Sequence, residues 1–299
     1  MPVIGERVSI AIRNILLATD FSYASKKAAA YAKALALNFR SSVDVVHVFD
    51  PSVAASYSEA ILGFPIQERR RIHHENLNLV RDEFTAAGLT AHATTQEGHR
   101  PWAALLQVSR QLESDLIVAG THSKWGIERI VTGSTAEELI RSATCPVLTV
   151  GPNAKEPPPG PLVFRSIVYA TDFSPEAAKA AAYALSFAQE SGAHLYLCCV
   201  VAPQLASQPS AFLDAPFKAT LQRLIPDSSY DWCTPHVVVA HGEAGPAILD
   251  LAGRVNADLI VLGARSASFW LTHIEHGLTP DLLAEASCPV MTVCQKGDA

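Results

Sequence analysis

The chain has 299 residues, 49% hydrophobic and 17% charged, enough to bury one large core or two ordinary ones. Its net charge of −6 argues against a nucleic-acid surface, and its single basic run, Arg69-Arg70-Arg71, lies between Glu68 and Glu75 and reads as a solvated helix face. No apolar run reaches the roughly 18 residues that a membrane span needs, the first residues lack a secretory apolar region, and six cysteines without Cys-x-x-Cys spacing suit free thiols of a reducing cytoplasm.

In chain order, Ile12 to Ala18 is a short apolar run ending at Thr19-Asp20, the pattern of a buried parallel strand. Ser22 offers an N-cap to an Ala-rich helix carrying Ala24, Ala28, Tyr31 and Leu35 on one face. Val43 to Phe49 is the second strand, and Ile66, His73, Leu77, Val80 and Phe84 mark the second helix. His73-His74 on that helix is expected to pack or to face solvent. Strand three runs from Ala91 to Gln96, helix three from Pro101 to Leu112 and strand four from Leu116 to Ala119. Helix four spans Ser134 to Ser142 and strand five Pro146 to Val150.

The pattern then begins again. Ile15-Leu16-Leu17-Ala18-Thr19-Asp20-Phe21-Ser22 returns 152 residues later as Ile167-Val168-Tyr169-Ala170-Thr171-Asp172-Phe173-Ser174. At the same spacing Lys27-Ala28-Ala29-Ala30-Tyr31-Ala32 becomes Lys179-Ala180-Ala181-Ala182-Tyr183-Ala184. Ser114-Asp115-Leu116-Ile117-Val118-Ala119-Gly120 and Thr144-Cys145-Pro146-Val147 return 143 residues on, so the second copy has lost nine residues in between. Residues 151–162, rich in Pro and Gly, continue neither a helix nor a central strand and read as a stiff linker between a domain of 1–150 and one of 163–299. Strict alternation of strand and helix predicts an α/β protein of two tandem Rossmann-like or flavodoxin-like domains. Each is expected to have a five-stranded parallel sheet in the order 3-2-1-4-5 with helices on both faces. Any ligand then belongs at the carboxyl ends of strands one and four, where Asp20 and Gly120 fall.

After strand four, Gly120 lets the chain leave the strand, Lys124 and Arg129 supply positive charge, and Gly133-Ser134 opens a helix whose free N–H groups and dipole favour an anion. These features suit a polyphosphate. Ser134-x-x-Glu137 is equally a capping box that needs no ligand. Asp20 fits a ribose contact, or simply organises the turn before the first helix. No Gly-x4-Gly-Lys-Ser/Thr loop, no Gly-x-Gly-x-x-Gly after the first strand and no nucleophile elbow occurs, and the first loop offers a single carboxylate, Glu128. An enzyme is therefore not expected.

On these blocks the chain resembles a tandem universal stress protein over nearly its whole length. The ATP-binding branch of that family carries Gly-x2-Gly-x9-Gly-Ser/Thr after strand four and an Asp at the end of strand one. Gly120, Gly133 and Ser134 fall on three of the loop positions, and Ser123 occupies the second glycine position. The resemblance implies that Asp20 lies near the adenosine, Ala18 and Val48 at adenine-contact positions, and Thr135 beside phosphate. ATP or another adenine nucleotide, with Mg2+ accompanying it, is the implied ligand of the first domain. The family also implies pairing through fifth strands, here Pro146 to Val150 against Pro289 to Val293, giving an intramolecular pseudo-dimer that pairs again in a homodimer or not. Neither a nucleic acid nor a membrane is expected as a partner.

In the second copy His276-Gly277 stands where the first has Gly133-Ser134. Thr279-Pro280 there resembles a helix start two residues late, which would withdraw the anion-binding end by about 3 Å. The second domain is therefore expected to hold another ligand or none. His122 in the first loop reads as an exposed loop histidine, with contact to a terminal phosphate as the other reading. His273 with His276 around Glu275 in the second loop lack a third ligand at metal spacing and read as loop or packing residues. The alternative function is a scaffold or a binder of another small or apolar ligand.

Overall fold

Each half opens with a strand whose start is held by a carboxylate about a hundred residues further along the chain. Asp115 Oδ2 accepts the N–H groups of Arg13 and Asn14 at 2.7 and 3.0 Å, and Asp258 Oδ2 accepts those of Arg165 and Ser166 at 2.7 and 3.1 Å. The repeated Asp-Leu-Ile-Val block therefore anchors the start of the neighbouring strand as well as forming its own. The computed structural model describes residues 10–51, 66–121, 135–202, 210–264 and 278–294. Its first half runs β1 (Asn14–Ala18), α1 (Tyr23–Phe39), β2 (Ser42–Phe49), α2 (Ile66–Ala86), β3 (Ala91–Glu97), α3 (Pro101–Gln111), β4 (Leu116–Gly120), α4 (Thr135–Ser142) and β5 (Val147–Val150). The second runs β6 (Ser166–Ala170), α5 (Pro175–Ser191), β7 (His194–Val201), α6 (Ser210–Gln222), β8 (Thr234–His241), α7 (Ala244–Arg254), β9 (Leu259–Ala264), α8 (Leu278–Glu285) and β10 (Val290–Cys294).

The strands form one ten-stranded sheet in the order β3-β2-β1-β4-β5-β10-β9-β6-β7-β8. Every pairing is parallel except β5 with β10, which is antiparallel with Leu148 opposite Met291. Strand alternation divides the apolar residues between two layers. Ile15, Leu17, Val43 and Val45 face α1 and α2, and the same layer continues under α5 and α6. Leu16, Val46, Ile117 and Ala119 face α3 and α4, and that layer continues under α7 and α8. At the junction the buried Thr149 hydroxyl donates to the Val290 carbonyl at 3.0 Å, and the Thr292 hydroxyl to that of Val147 at 3.3 Å.

The segment joining the halves is docked rather than free. Lys27, 9% exposed, donates to the carbonyls of Pro152 and Ala154 at 2.8 and 2.9 Å, and Tyr31 donates to that of Lys155 at 2.7 Å. Asn38 donates to the Leu162 carbonyl. Phe164 inserts between the halves, its ring 5.4 Å from Phe187, which meets Phe39 edge-on at 5.7 Å.

Two readings of the sequence change in detail. Helix α8 begins at Leu278, the position equivalent to Thr135 at the repeat spacing of 143, so its start is not delayed by two residues. Pro280 is the third helical residue, where the missing N–H has no intrahelical acceptor to lose. The basic run is neutralised more fully than its flanks suggested. Arg71 pairs with Glu68 and Glu75, whereas Arg70 reaches across to Glu97 on β3 at 2.9 Å. The equivalent pair in the second half has its polarity reversed: Asp214 on α6 meets His241 on β8 at 2.8 Å.

Candidate functional site

With β1 beside β4 the strand order reverses between them, and in open α/β sheets ligands bind at the carboxyl ends of the strands flanking such a point. Ala18, Asp20, Val48 and Gly120 all lie at that edge of the sheet. Ala18 and Val48 are half-buried and pack, with Trp102, against the core under α3 and α4. Gly120 is there for close approach. A Cβ on it would sit 2.5 Å from the Ala24 carbonyl carbon and oxygen and 2.7 Å from the Ser25 nitrogen. Thr135 is the half-buried first residue of α4, whose first turn also carries Glu137 and Glu138. These carboxylates complement the positive end of the helix dipole from within the chain. Ser123, Gly133 and Ser134, along with Lys124, Glu128, Arg129 and His122, lie outside the described residues, as do His273, Glu275 and His276.

The turn after β1 is built by its own side chains. Thr19 is buried, and its hydroxyl accepts the Phe21 N–H at 3.1 Å. Asp20 is exposed, and its Oδ1 accepts the Ser22 N–H at 3.0 Å. Phe21 takes a left-handed conformation, φ 66°, which is uncommon for a side chain of its size. Ser22 caps α1 by accepting the Ser25 N–H at 3.2 Å. The second half repeats this: Thr171 with Phe173 at 2.9 Å, Asp172 with Ser174 at 2.9 Å, and Phe173 at φ 62°. One oxygen of Asp20 thus serves the turn.

At the equivalent edge of the second half stand Ala170, Asp172, Val200 and Gly263, identical in type to the first four candidates. Those residues therefore do not distinguish the halves. The difference lies in the loops, Gly133-Ser134 against His276-Gly277, and behind the turn.

Behind the first turn is a pair that chain order does not reveal. His47, inward-facing on β2 and 6% exposed, holds the Thr19 carbonyl through Nδ1 at 2.9 Å, and its Nε2 lies 2.7 Å from His73 Nδ1 on α2. The rings of Phe21 and His47 are 4.6 Å apart, and His73 meets Phe21 and Phe49 edge-on at 5.8 and 5.5 Å. The available signal was a histidine at an interior position of an apolar strand, which must find hydrogen-bond partners. Burial holds both imidazoles below their ordinary pKa; His47 depresses His73 further, as does Arg69, while the Thr19 carbonyl and Asp20 partly oppose the shift at His47. The counterparts in the second half are Cys199 and Phe217. Cys199 is a buried thiol with its pKa pushed up to about 11 by burial, and Phe217 stacks on Phe173 at 6.3 Å.

The sign of the resulting pH dependence follows from linkage. With native pKa values below the unfolded ones, the unfolded chain binds more protons as pH falls through the ordinary histidine range. The stability contribution is therefore full above that range and is lost on acidification toward the lowered native values. Thermal unfolding between pH 7.5 and 5.5 is expected to show a lowered midpoint at acid pH, and His47→Cys with His73→Phe should reduce that drop. An equal drop in the variant would assign it to other groups.

With this geometry in hand, kinship can be read. The sequence profile of the universal stress protein family matches residues 11–151 and again residues 164–293. The chain belongs to the universal stress protein family. A universal stress protein of Methanocaldococcus jannaschii is 33% identical over 148 residues, covering 48% of this chain and 85% of its own. A solved universal stress protein from Archaeoglobus fulgidus covers 98% of this chain and 99% of its own with a TM-score of 0.72 and 22% identity. A functionally unknown protein from Pseudomonas aeruginosa covers 95% and 93% with a TM-score of 0.59 and 15% identity. These two structures establish the fold over both halves. No helix among the described residues of this universal stress protein is long and apolar enough to cross a membrane.

Proposed function

We propose that the chain is a regulatory, non-catalytic universal stress protein whose first half binds an adenine nucleotide, ATP, ADP or AMP, with the second half as its structural partner. The observation that carries the nucleotide reading is the gathering of Ala18, Asp20, Val48 and Gly120 at the carboxyl edge of β1, β2 and β4, beside the start of α4. The choice of the first half rests on Gly133-Ser134 in its loop, where the second has His276-Gly277. Ala18 and Val48 supply half-buried apolar walls for a planar base, and the exposed Asp20 stands where ribose hydroxyls would meet its carboxylate. Phosphates would lie toward Ser123, Gly133, Ser134 and Thr135, with Mg2+ carried in on the nucleotide. The reading is regulatory because the first loop carries only Glu128 as a carboxylate, little for a dedicated hydrolase to use. A cytoplasmic setting and association of whole chains belong to the same reading.

Calorimetric titration of ATP and ADP into wild type and Gly133→Val tests it. Saturable binding to wild type, weakened at least about tenfold (~1.4 kcal/mol) in the variant, is expected. No saturable binding at millimolar nucleotide would remove the reading.

One observation favours a scaffold instead: Asp20 and Asp172 make the same turn contact in both halves, whatever the loop beside them. Native mass spectrometry of freshly purified protein separates the two. Co-purified adenine nucleotide supports the first reading; a co-purified lipid or other metabolite supports the second.

A further inference from the structure

The hydrogen-bonding directions of the His47–His73 pair can be worked out from chemistry alone. The Thr19 carbonyl only accepts, so His47 Nδ1 carries the hydrogen that meets it at 2.9 Å. In neutral His47 the other nitrogen, Nε2, is then a bare acceptor, and the 2.7 Å contact requires His73 Nδ1 to donate. Both rings are held as Nδ1–H tautomers, and the one unprotonated nitrogen outside the chain of bonds is His73 Nε2.

We propose that this pair is a proton-operated support for the Asp20 turn: one proton is taken up and kept at His73 Nε2, and its polarising effect reaches the Thr19 carbonyl through His47. The inference deepens the nucleotide reading, since it concerns regulation of the edge of that site. The proton leaves every bond in place: His73 still donates to His47, now as a cation, and a charge-assisted bond is the stronger one. Polarised in turn, His47 holds Thr19 more firmly. A second proton would need His47 Nε2, the acceptor in the chain, and would break it. The pair therefore acts as a unit that takes up its first proton at His73, below the ordinary histidine range, and resists the second more strongly.

The surroundings fit a site tuned by several elements. From the β1–α1 turn Asp20 favours the charged form of His47, and from α2 Arg69 opposes that of His73. Arg70 on α2 lies 5.5 Å from the Phe49 ring centroid and is paired with Glu97 on β3. What the support acts on is a strained element: Phe21 sits at φ 66° between the two amides that Thr19 and Asp20 hold, with its ring against His47. The second half has the same strained turn at Phe173, where Phe217 stacks on the ring and Cys199 stands at the position of His47, neither of which takes up a proton in the histidine range. One half thus carries a titratable turn and the other a fixed one.

Imidazole nitrogen NMR of the full-length, ligand-free protein tests the proposal. Expected are Nδ1–H tautomers for both rings above the histidine range and a single proton entering at His73 Nε2 on acidification. The amides of Phe21 and Ser22 should shift with the same midpoint, while those of Phe173 and Ser174 do not. His47→Cys with His73→Phe, the residues the second half already uses, should abolish that midpoint at Phe21 and Ser22. An Nε2–H tautomer at His73, or turn amides that ignore its titration, would overturn the proposal from wild type alone, however the variant folds. ADP titrations then read the coupling, as a wild-type to variant affinity ratio that changes across the midpoint. Absence of ADP binding with the NMR result intact removes the nucleotide reading and leaves the proton-operated turn standing.

Discussion

Gly120→Ala is expected to be among the most damaging single substitutions in the first half, although it adds one methyl group. The new Cβ would lie 2.5 Å from the Ala24 carbonyl and 2.7 Å from the Ser25 nitrogen, all backbone atoms of the first turn of α1. Backbone cannot rotate away as a side-chain tip can, so β4 and α1 must separate. Ser22, which caps that turn, and Asp20, which sets its entry, move with it. Overpacking of this kind costs about 3 kcal/mol, a drop of about 6–12 °C in the unfolding midpoint for a domain of this size. Gly253→Ala is the control. Gly253 lies in α7 with nothing within 4 Å of the added Cβ, so helix propensity predicts a gain of about 0.5–1 kcal/mol. Calorimetric unfolding of both variants measures the contrast, and equal effects would refute the steric account.

Lys27→Met should release the segment that joins the halves, whereas Lys179→Met should do almost nothing. The two lysines occupy the same place in the repeated Lys-Ala-Ala-Ala-Tyr-Ala block. Lys27 is buried, 5.1 Å from the Tyr23 ring centroid, and donates to two carbonyls; Lys179 is exposed. Methionine keeps the apolar stem and removes the charged donor, leaving the carbonyls of Pro152 and Ala154 without it. A loss of about 2–3 kcal/mol in urea unfolding is expected for Lys27→Met, against about 0.5 kcal/mol or less for Lys179→Met. Limited proteolysis should cut Lys27→Met faster within residues 151–165. Indifference of both readouts to Lys27 would mean that the segment is held by Phe164 and Tyr31 instead.

These two predictions also mark where sequence is informative. The repeat is legible because strands and caps rest on local chemistry: Ser22 and Ser174 cap the same helix, and Asp115 and Asp258 anchor the same strand start. Gly120 was legible as a residue that lets the chain leave a strand, but its packing on α1 depends on a helix far away in sequence. The different fates of Lys27 and Lys179 were illegible for the same reason, since only the first lies under the joining segment. Thr279-Pro280 misled because a proline is harmless throughout the first turn of a helix, so it does not mark the first residue uniquely. His47 and His73 came together through β2–α2 packing that periodicity does not record.

The antiparallel contact between β5 and β10 has a consequence for how this protein responds to dilution and to mutation. Two separate chains meeting through such strands would part at low concentration, and their unfolding midpoint would follow protein concentration. Here Leu148 and Met291 belong to one covalent chain, so their pairing is unimolecular and independent of dilution. A symmetric pair of chains also carries every substitution twice, once on each side of the axis. In this chain a change is made once, and Asp214 with His241 can stand where the other half keeps Arg70 with Glu97.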